Sequence, residues 1–400
     1  MVVEAGQIAE RTNLSARLLV VDDNEDNRYT LTLRLELEGY QDVTVANDGE
    51  EALELLRAGE FDLVLLDVMM PRLNGYGVLE QLKQEGRLHN LPVIMVSALN
   101  ELDSVVRCIE IGAVDYLPKP FNPVLLSARI GASLEKKRLR DEVRTHLDRI
   151  EQELDAAREL QMGMVPTFFP PPTPERPVEI FAMMEPAREV GGDLYDFFDG
   201  PDGSLCFLVG DVSGKGVPAA LFMARTKNLV RLVTDLLRGP EGELAAPAEI
   251  LGRVNRELCH DNVGMMFVTL FLGMLQPRTG ELRFCNAGHG PPYRLRGQSV
   301  EPLAAAADPP LGIRPRTVYG TETICLEPGE VLYLYSDGIT EAADASGALF
   351  SEDRLATVLG NATGGAEDLV STVAEAVTKF VGNAPRSDDI TAMAIRLVAS

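Results

Sequence analysis

The residues best suited to chemistry fall into two acidic sets. The first is Asp22-Asp23, Asp67 in LLDVMMP, Ser97 in VSA and Lys119 in DYLPKPF. Acids gathered in one small pocket repel one another unless a hard divalent cation such as Mg²⁺ holds them. That cation would also neutralise an incoming phosphoryl group while one carboxylate attacks phosphorus to give an aspartyl phosphate. Lys119 can pair with the phosphoryl oxygens, and Ser97 can donate its hydroxyl to them. Taken singly these residues have plainer roles, since a paired Asp also caps helices and a lone lysine is usually solvated. Their order along the chain carries the reading.

The second set lies in REVGGDLYDF, VGDVSGKG, LYSDGITEA and RSDDITAMAI, with Asp193, Asp211, Asp337 and Asp388, and Asp389 as a neighbour. Carboxylates brought together by chain reversal would bind two hard cations, and bridged cations activate water against a phosphate ester. Flanking glycines let the backbone approach such a cluster. A single Ser-Asp-Gly is usually a turn, so the argument rests on the four segments together. GDVSGKG is not a nucleotide loop: only Asp211, Val212 and Ser213 separate Gly210 from Gly214, and Gly216 rather than Ser or Thr follows Lys215. His289 in NAGHGPP reads as a turn histidine ahead of an acid or ligand. Cys285, four residues earlier, is separated from it by a turn sequence, which argues against a zinc pair.

The elements that must position the first set are apolar runs at LLVVD, VTVA, FDLVLLDV, LPVIMVSA and AVDYLP, separated by amphipathic stretches of helical spacing. Continuous apolar strands alternating with helices predict a doubly wound α/β domain with a five-stranded parallel sheet. Its ligands gather at the carboxyl ends of the strands, where Asp22, Asp67 and Ser97 fall. Residues 134–165 then change to a highly charged, proline-free stretch. Val143, Leu147, Ile150, Leu154, Ala157 and Met164 follow heptad-like steps, with Gln161 interrupting the stripe. This predicts a helical coiled-coil linker that pairs two copies as a homodimer, ahead of the alternative of a lone surface helix packed on its own domain. PTFFPPPTPERP ends the helix, and strands with Gly-rich turns around grouped helices follow, predicting a layered α+β domain.

With these motifs in view, residues 17–133 resemble the CheY-like receiver domain of bacterial response regulators. The resemblance implies phosphorylation of Asp67 by an upstream sensor histidine kinase. It implies Mg²⁺ on Asp22, Asp23, Asp67 and the Met69 backbone carbonyl, and switch roles for Ser97, Tyr116 and Lys119, with a cis bond before Pro120. Residues 178–398 resemble the SpoIIE/RsbU-type branch of the PPM (PP2C-like) serine/threonine phosphatases, whose fold is an αββα sandwich. That resemblance implies two Mn²⁺ or Mg²⁺ ions on Asp193, Asp211, Asp337, Asp388 and the Val212 backbone carbonyl, with Asp389 beside them. It also implies hydrolysis of phosphoserine or phosphothreonine, typically on STAS-domain anti-anti-sigma proteins. The alternative is a non-catalytic partner-binding adaptor under receiver control.

Composition narrows the field. A net charge of -24, from 61 acidic and 37 basic residues, repels nucleic acid, and no helix-turn-helix signal or basic face follows the receiver. Five scattered cysteines without a CxxC pair point to a reducing compartment. The N-terminal sequence has no apolar signal core, and no apolar run is long enough to span a membrane, so the expected location is the cytoplasm, without membrane insertion.

Overall fold

The computed structural model describes residues 15–98, 102–240, 242–304 and 306–398; most of the N-terminal stretch behind the export expectation lies outside them. The chain divides into two compact units between Ile150 and Glu151.

In the first unit, β1 (Arg17–Val21), α1 (Glu25–Leu37), β2 (Asp42–Ala46), α2 (Gly49–Ala58), β3 (Leu63–Asp67), α3 (Gly75–Gln84), β4 (Val93–Ser97), α4 (Leu102–Ile111) and β5 (Asp115–Pro118) alternate. All five strands are parallel, in the order β2-β1-β3-β4-β5. Every residue of β3 and β4 is buried, as their unbroken apolar sequences require of strands covered on both faces. On one face Leu19, Val64, Leu66 and Met95 pack with Leu53, Leu56, Val78 and Leu82 of α2 and α3. On the other, Leu18, Val20, Leu65 and Ile94 meet Leu31 and Leu35 of α1 and Leu126, Ile130 and Leu134 of the next helix, α5 (Pro123–Met162). Asn24 caps α1 by accepting from the amides of Asp26 and Asn27, which fixes the chain direction right after Asp22-Asp23.

Helix α5 runs unbroken through 40 residues, so the receiver's last helix and the anticipated linker are one element. No proline falls between Pro123 and Pro166 to stop it. Val143, Leu147 and Ile150 of the anticipated seam are each more than half exposed.

The second unit contains two antiparallel five-stranded sheets. One has the order β13-β10-β9-β8-β7 and the other β12-β11-β14-β15-β6. Their strands are β6 (Val178–Glu185), β7 (Leu194–Asp199), β8 (Leu205–Val212), β9 (Val268–Leu275), β10 (Glu281–Ala287), β11 (Tyr293–Arg296), β12 (Ser299–Pro302), β13 (Glu322–Cys325), β14 (Val331–Tyr335) and β15 (Ile390–Leu397). Phe207, Phe271 and Phe284 from the first sheet pack with Leu332, Leu334, Met393 and Ile395 from the second. Helices α6 (Val217–Leu236) and α7 (Pro247–Cys259) cover the first sheet through Met223, Val230, Ile250 and Val254. After the one-turn α8 (Asp337–Thr340), helices α9 (Ser351–Asn361) and α10 (Ala366–Val381) cover the second through Leu355, Val370 and Val373. The result is the layered αββα sandwich.

Phe271 stacks between Phe207 and Phe284, with ring centroids 6.3 and 5.3 Å away, and is fully buried. Phe271→Ala should destabilise the second unit by about 3–5 kcal/mol, because both the ring's transfer energy and the cavity it leaves count against the fold. Urea unfolding of parent and variant measures this; an unchanged midpoint would show that the inter-sheet core is not the stabilising layer. All five cysteines are free thiols. Among the described residues no helix is long and apolar enough to cross a membrane.

Candidate functional site

Asp22 directly follows β1, Asp67 and Ser97 close β3 and β4, and Lys119 directly follows β5, so the parallel sheet delivers all four to one edge. Asp22 and Asp67 are buried and Asp23 is exposed, yet one carboxylate oxygen of each lies within 4.8 Å of the others. Lys119 Nζ sits 2.6 Å from Asp22 Oδ2 and 2.9 Å from Asp67 Oδ2. Asp22 Oδ1 also accepts from the Asn24 amide and from Asn27 Nδ2, each at 3.0 Å. Burial pushes the Asp67 carboxyl above its ordinary pKa, with Lys119 pulling the other way. Burial likewise disfavours the Lys119 ammonium, but its bonds to Asp22 and Asp67 outweigh that and raise its pKa. Three convergent carboxylates with one solvent-facing member fit a hard oxygen-seeking cation.

The remaining first-set residues frame this pocket. The Met69 amide lies 3.5 Å from Asp67 Oδ1, which places its backbone at the pocket. Ser97 is buried, and its carbonyl accepts from the Lys119 amide at 2.7 Å. Tyr116 is packed inward, with its hydroxyl 3.4 Å from that same carbonyl. The Lys119–Pro120 bond is cis.

In the second unit, Asp193 immediately precedes β7 and Asp211 lies near the end of its partner β8. Asp337 opens α8 just after β14, and Asp388 and Asp389 precede the paired β15. Each sheet thus contributes acids from neighbouring strands. Burial, followed by Asp337 and Asp388, pushes the Asp211 carboxyl up to about 7. Asp193 is raised by burial and then by Asp211, and Asp337 by burial and then by Glu341 and Asp388. Asp193 Oδ2 is buried without a hydrogen-bond partner. Crowded, repelling carboxylates with an orphaned oxygen are what divalent cations would relieve. The spacing is more open than in the first unit: among the described residues, the group of three acids whose oxygens lie within 4.8 Å is Asp22, Asp23 and Asp67.

Asp389 has a different task from its neighbours. Its carboxylate accepts from the amides of Ala187 at 2.8 Å, Gly192 at 2.6 Å and Asp193 at 3.4 Å, so it fixes the backbone that presents Asp193. A Cβ on Gly191 would stand 2.4 Å from Asp389 Oδ2, and one on Gly338 would stand 1.9 Å from the Asp389 carbonyl. Both glycines are there for close approach. The Val212 carbonyl lies against Gly192, where a Cβ would come within 2.8 Å of it.

His289 is the turn residue the sequence suggested. The Asn286 side chain accepts from its amide at 2.8 Å and donates to its carbonyl at 2.9 Å, while Nδ1 lies 3.0 Å from Thr269 Oγ1. The ring borders a cavity of about 220 Å³ shared with Asp211 and Asp337. Burial pushes its pKa from 6.5 down to about 4, so the imidazole is neutral at pH 7. Between pH 6.5 and 4 the unfolded chain binds a proton that the folded chain refuses, so stability falls as pH falls. This one group should remove about 3 kcal/mol across that window. Denaturant titrations of parent and His289→Gln at pH 7 and pH 4 test it: parent stability should fall by that much more than the variant's, and parallel losses would contradict it.

Two contacts were missed in the sequence reading. Gln161, noted there as an interruption, is buried, donates from Nε2 to the Gly191 carbonyl at 2.7 Å and accepts from the Gly191 amide at 3.0 Å. A lone amide in an apolar stripe was the available signal. Lys215, considered only in rejecting a nucleotide loop, places Nζ 2.8 Å from Asp388 Oδ2 and 2.5 Å from the Ser387 carbonyl. Nothing in the linear spacing pairs those two segments.

Residues 18–131 match the response regulator receiver domain, and residues 201–398 match the family described as Stage II sporulation protein E (SpoIIE). Protein IcfG of Synechocystis sp. is 28% identical over 280 residues, which is 65% of this chain and 43% of IcfG. The transcriptional regulatory protein CpxR of Escherichia coli is 50% identical over 121 residues, 30% of this chain and 50% of CpxR. The chain spans about half the length of the curated relatives it matches. Among solved structures, the SiaA-PP2C domain of Pseudomonas aeruginosa covers 63% of this chain and 98% of that domain, at 24% identity and a TM-score of 0.53. That last likeness is one of fold.

Proposed function

Because this chain joins a CheY-like response-regulator receiver domain to a SpoIIE-type, PP2C-like phosphatase domain, we propose that phosphorylation of Asp67 controls metal-dependent hydrolysis of phosphoserine or phosphothreonine on a STAS-domain anti-anti-sigma protein. The observation that carries the output is the convergence of Asp193, Asp211, Asp337 and Asp388 from four separate segments: after burial, Asp337 and Asp388 raise the pKa of Asp211, and Asp211 raises that of Asp193. In this reading the receiver spans 17–133, the linker 134–165 and the phosphatase 178–398.

Asp22, Asp23, Asp67 and the Met69 carbonyl would hold Mg²⁺. Asp193, Asp211, Asp337, Asp388 and the Val212 carbonyl would hold two Mn²⁺ or Mg²⁺. Bound there, such cations supply charge neutralisation and lower the pKa of water. The chain's own groups do the rest. A sensor histidine kinase brings the phosphoryl group on a phosphohistidine; an Asp67 carboxylate oxygen attacks phosphorus as the P–N bond breaks and the imidazole leaves with the kinase. Lys119, already 2.9 Å from Asp67 Oδ2, exchanges that contact for a phosphoryl oxygen, and the Ser97 hydroxyl donates to another. Tyr116 packs against the shifted Ser97 segment.

Helix α5 supplies the route to the output. It starts with Leu126, Ile130 and Leu134 in the receiver core and ends with Gln161 on Gly191, two residues before Asp193. Rotation or register change in a homodimeric coiled coil over residues 134–165 would move Gln161 and with it the backbone that Asp389 also grips. The net charge of -24 does not favour nucleic acid, and this reading sets the reaction in the cytoplasm.

A non-catalytic adaptor is the second reading, and the open spacing of the four phosphatase acids favours it; the orphaned Asp193 oxygen supports the first. Incubation with a phosphoserine STAS-domain protein decides between them. Release of phosphate that requires Mn²⁺ and stops with EDTA is expected, whereas no release by folded, Mn²⁺-saturated protein would leave the adaptor.

A further inference from the structure

Large apolar side chains are exposed beside the phosphatase acids on a loop that is held firmly. Val263 and Met265 are 95% and 85% exposed, and Phe267 is also exposed. Such a group on otherwise well-packed protein marks an interaction surface more often than a packing failure. The loop is not loose. Asn262 Nδ2 donates to the carbonyls of Met266 at 2.6 Å and Gly312 at 3.1 Å, and its Oδ1 accepts from the Met266 amide at 3.0 Å. Asp261 and Met265 take positive φ values of 56° and 47°, a conformation that costs energy for residues with a Cβ and so calls for a reason.

The loop is joined to the acidic site. The Ser213 amide donates to the Phe267 carbonyl at 2.9 Å, and the Phe267 amide donates to Ser213 Oγ at 3.0 Å, two residues from Asp211. The adjoining segment, bound through Gly312, exposes Ile313 with Arg314 and Arg316. An apolar platform with a cationic rim, in a chain of net charge -24, complements a protein that carries a phosphate dianion.

We propose that Val263, Met265, Phe267 and Ile313, rimmed by Arg314 and Arg316, form the surface that docks the phosphorylated protein substrate while its phosphoserine reaches the acids. This rests on the phosphatase reading and extends it: the four acids recognise the phosphate, whereas this platform recognises the protein carrying it. Ser213 is two residues from Asp211, so its paired hydrogen bonds to Phe267 hold the platform beside that acid.

The test is a calorimetric titration of the full chain, with Mn²⁺ and the Asp211→Asn substitution to slow turnover, using a phosphoserine STAS-domain protein as probe. The double substitution Val263→Ser/Met265→Ser is compared with its parent, and both positions are exposed enough to spare the fold. Dissociation constants should rise 10- to 100-fold in the double variant. A constant unchanged within twofold, or no binding by the parent, overturns the proposal. Sedimentation of the same samples covers the other occupant: self-association lost in the variant while probe affinity is kept would assign the surface to a second copy and overturn it. Phosphate release by the chain with Asp211 intact is measured separately. Binding through the platform without release would keep the docking surface and refute the phosphatase reading instead.

Discussion

Asp211→Asn should lower Mn²⁺-dependent phosphate release by about a thousandfold or more, since it removes a central charge from a site whose work is electrostatic. The same substitution should leave the metal-free fold intact. Asp211 is pushed up to about 7 by burial and by Asp337 and Asp388, so the neutral isostere removes repulsion and leaves the shape unchanged. Thermal unfolding separates these two effects. Without metal, the variant should melt at or slightly above the parent temperature. With Mn²⁺, the parent should gain stability in proportion to the logarithm of metal concentration, and the variant should gain much less. Retained activity within tenfold would remove Asp211 from the metal site, and so would an unchanged Mn²⁺ shift.

Gln161→Ala carries the second large effect. Truncation leaves the amide and carbonyl of Gly191 buried without the partners they have at 3.0 and 2.7 Å. Each unsatisfied group costs about 1–3 kcal/mol, enough to shift a short segment. That segment leads through Gly192 into Asp193, and small misplacements at a catalytic centre reduce turnover steeply. Phosphate release should fall about 10- to 100-fold, while the receiver still takes up phosphate from acetyl phosphate as the parent does. Any residual activity should no longer respond to Asp67. Release within twofold of the parent, with the response intact, would show that the helix end is merely packed on the domain.

Much of this was legible because the signals were local. The unbroken apolar runs of β3 and β4 could only be central strands of a covered sheet, and parallel winding brings Asp22, Asp67, Ser97 and Lys119 to one edge. The sandwich was legible as a class from strand-rich segments and grouped helices, but its strand order was not. β6 pairs with β15 at the far end of the chain, and no spacing rule records that. The same limit hid the Lys215–Asp388 pair, whose members are 173 residues apart. Asp389 could be read only as a neighbour of the four acids, because sequence shows a carboxylate but not its partners; three backbone amides engage it. The linker boundary at 134 falls within one continuous helix, where the composition changes to heptad-like while the helix runs on.

The most direct test of receiver control is the initial rate of phosphate release from a phosphoserine STAS-domain protein in Mn²⁺, with and without beryllofluoride, for the parent chain and Asp67→Ala. The account predicts a rate that changes several-fold with beryllofluoride in the parent and not at all in the variant. Equal rates in all four samples, from protein active enough to measure, would contradict it.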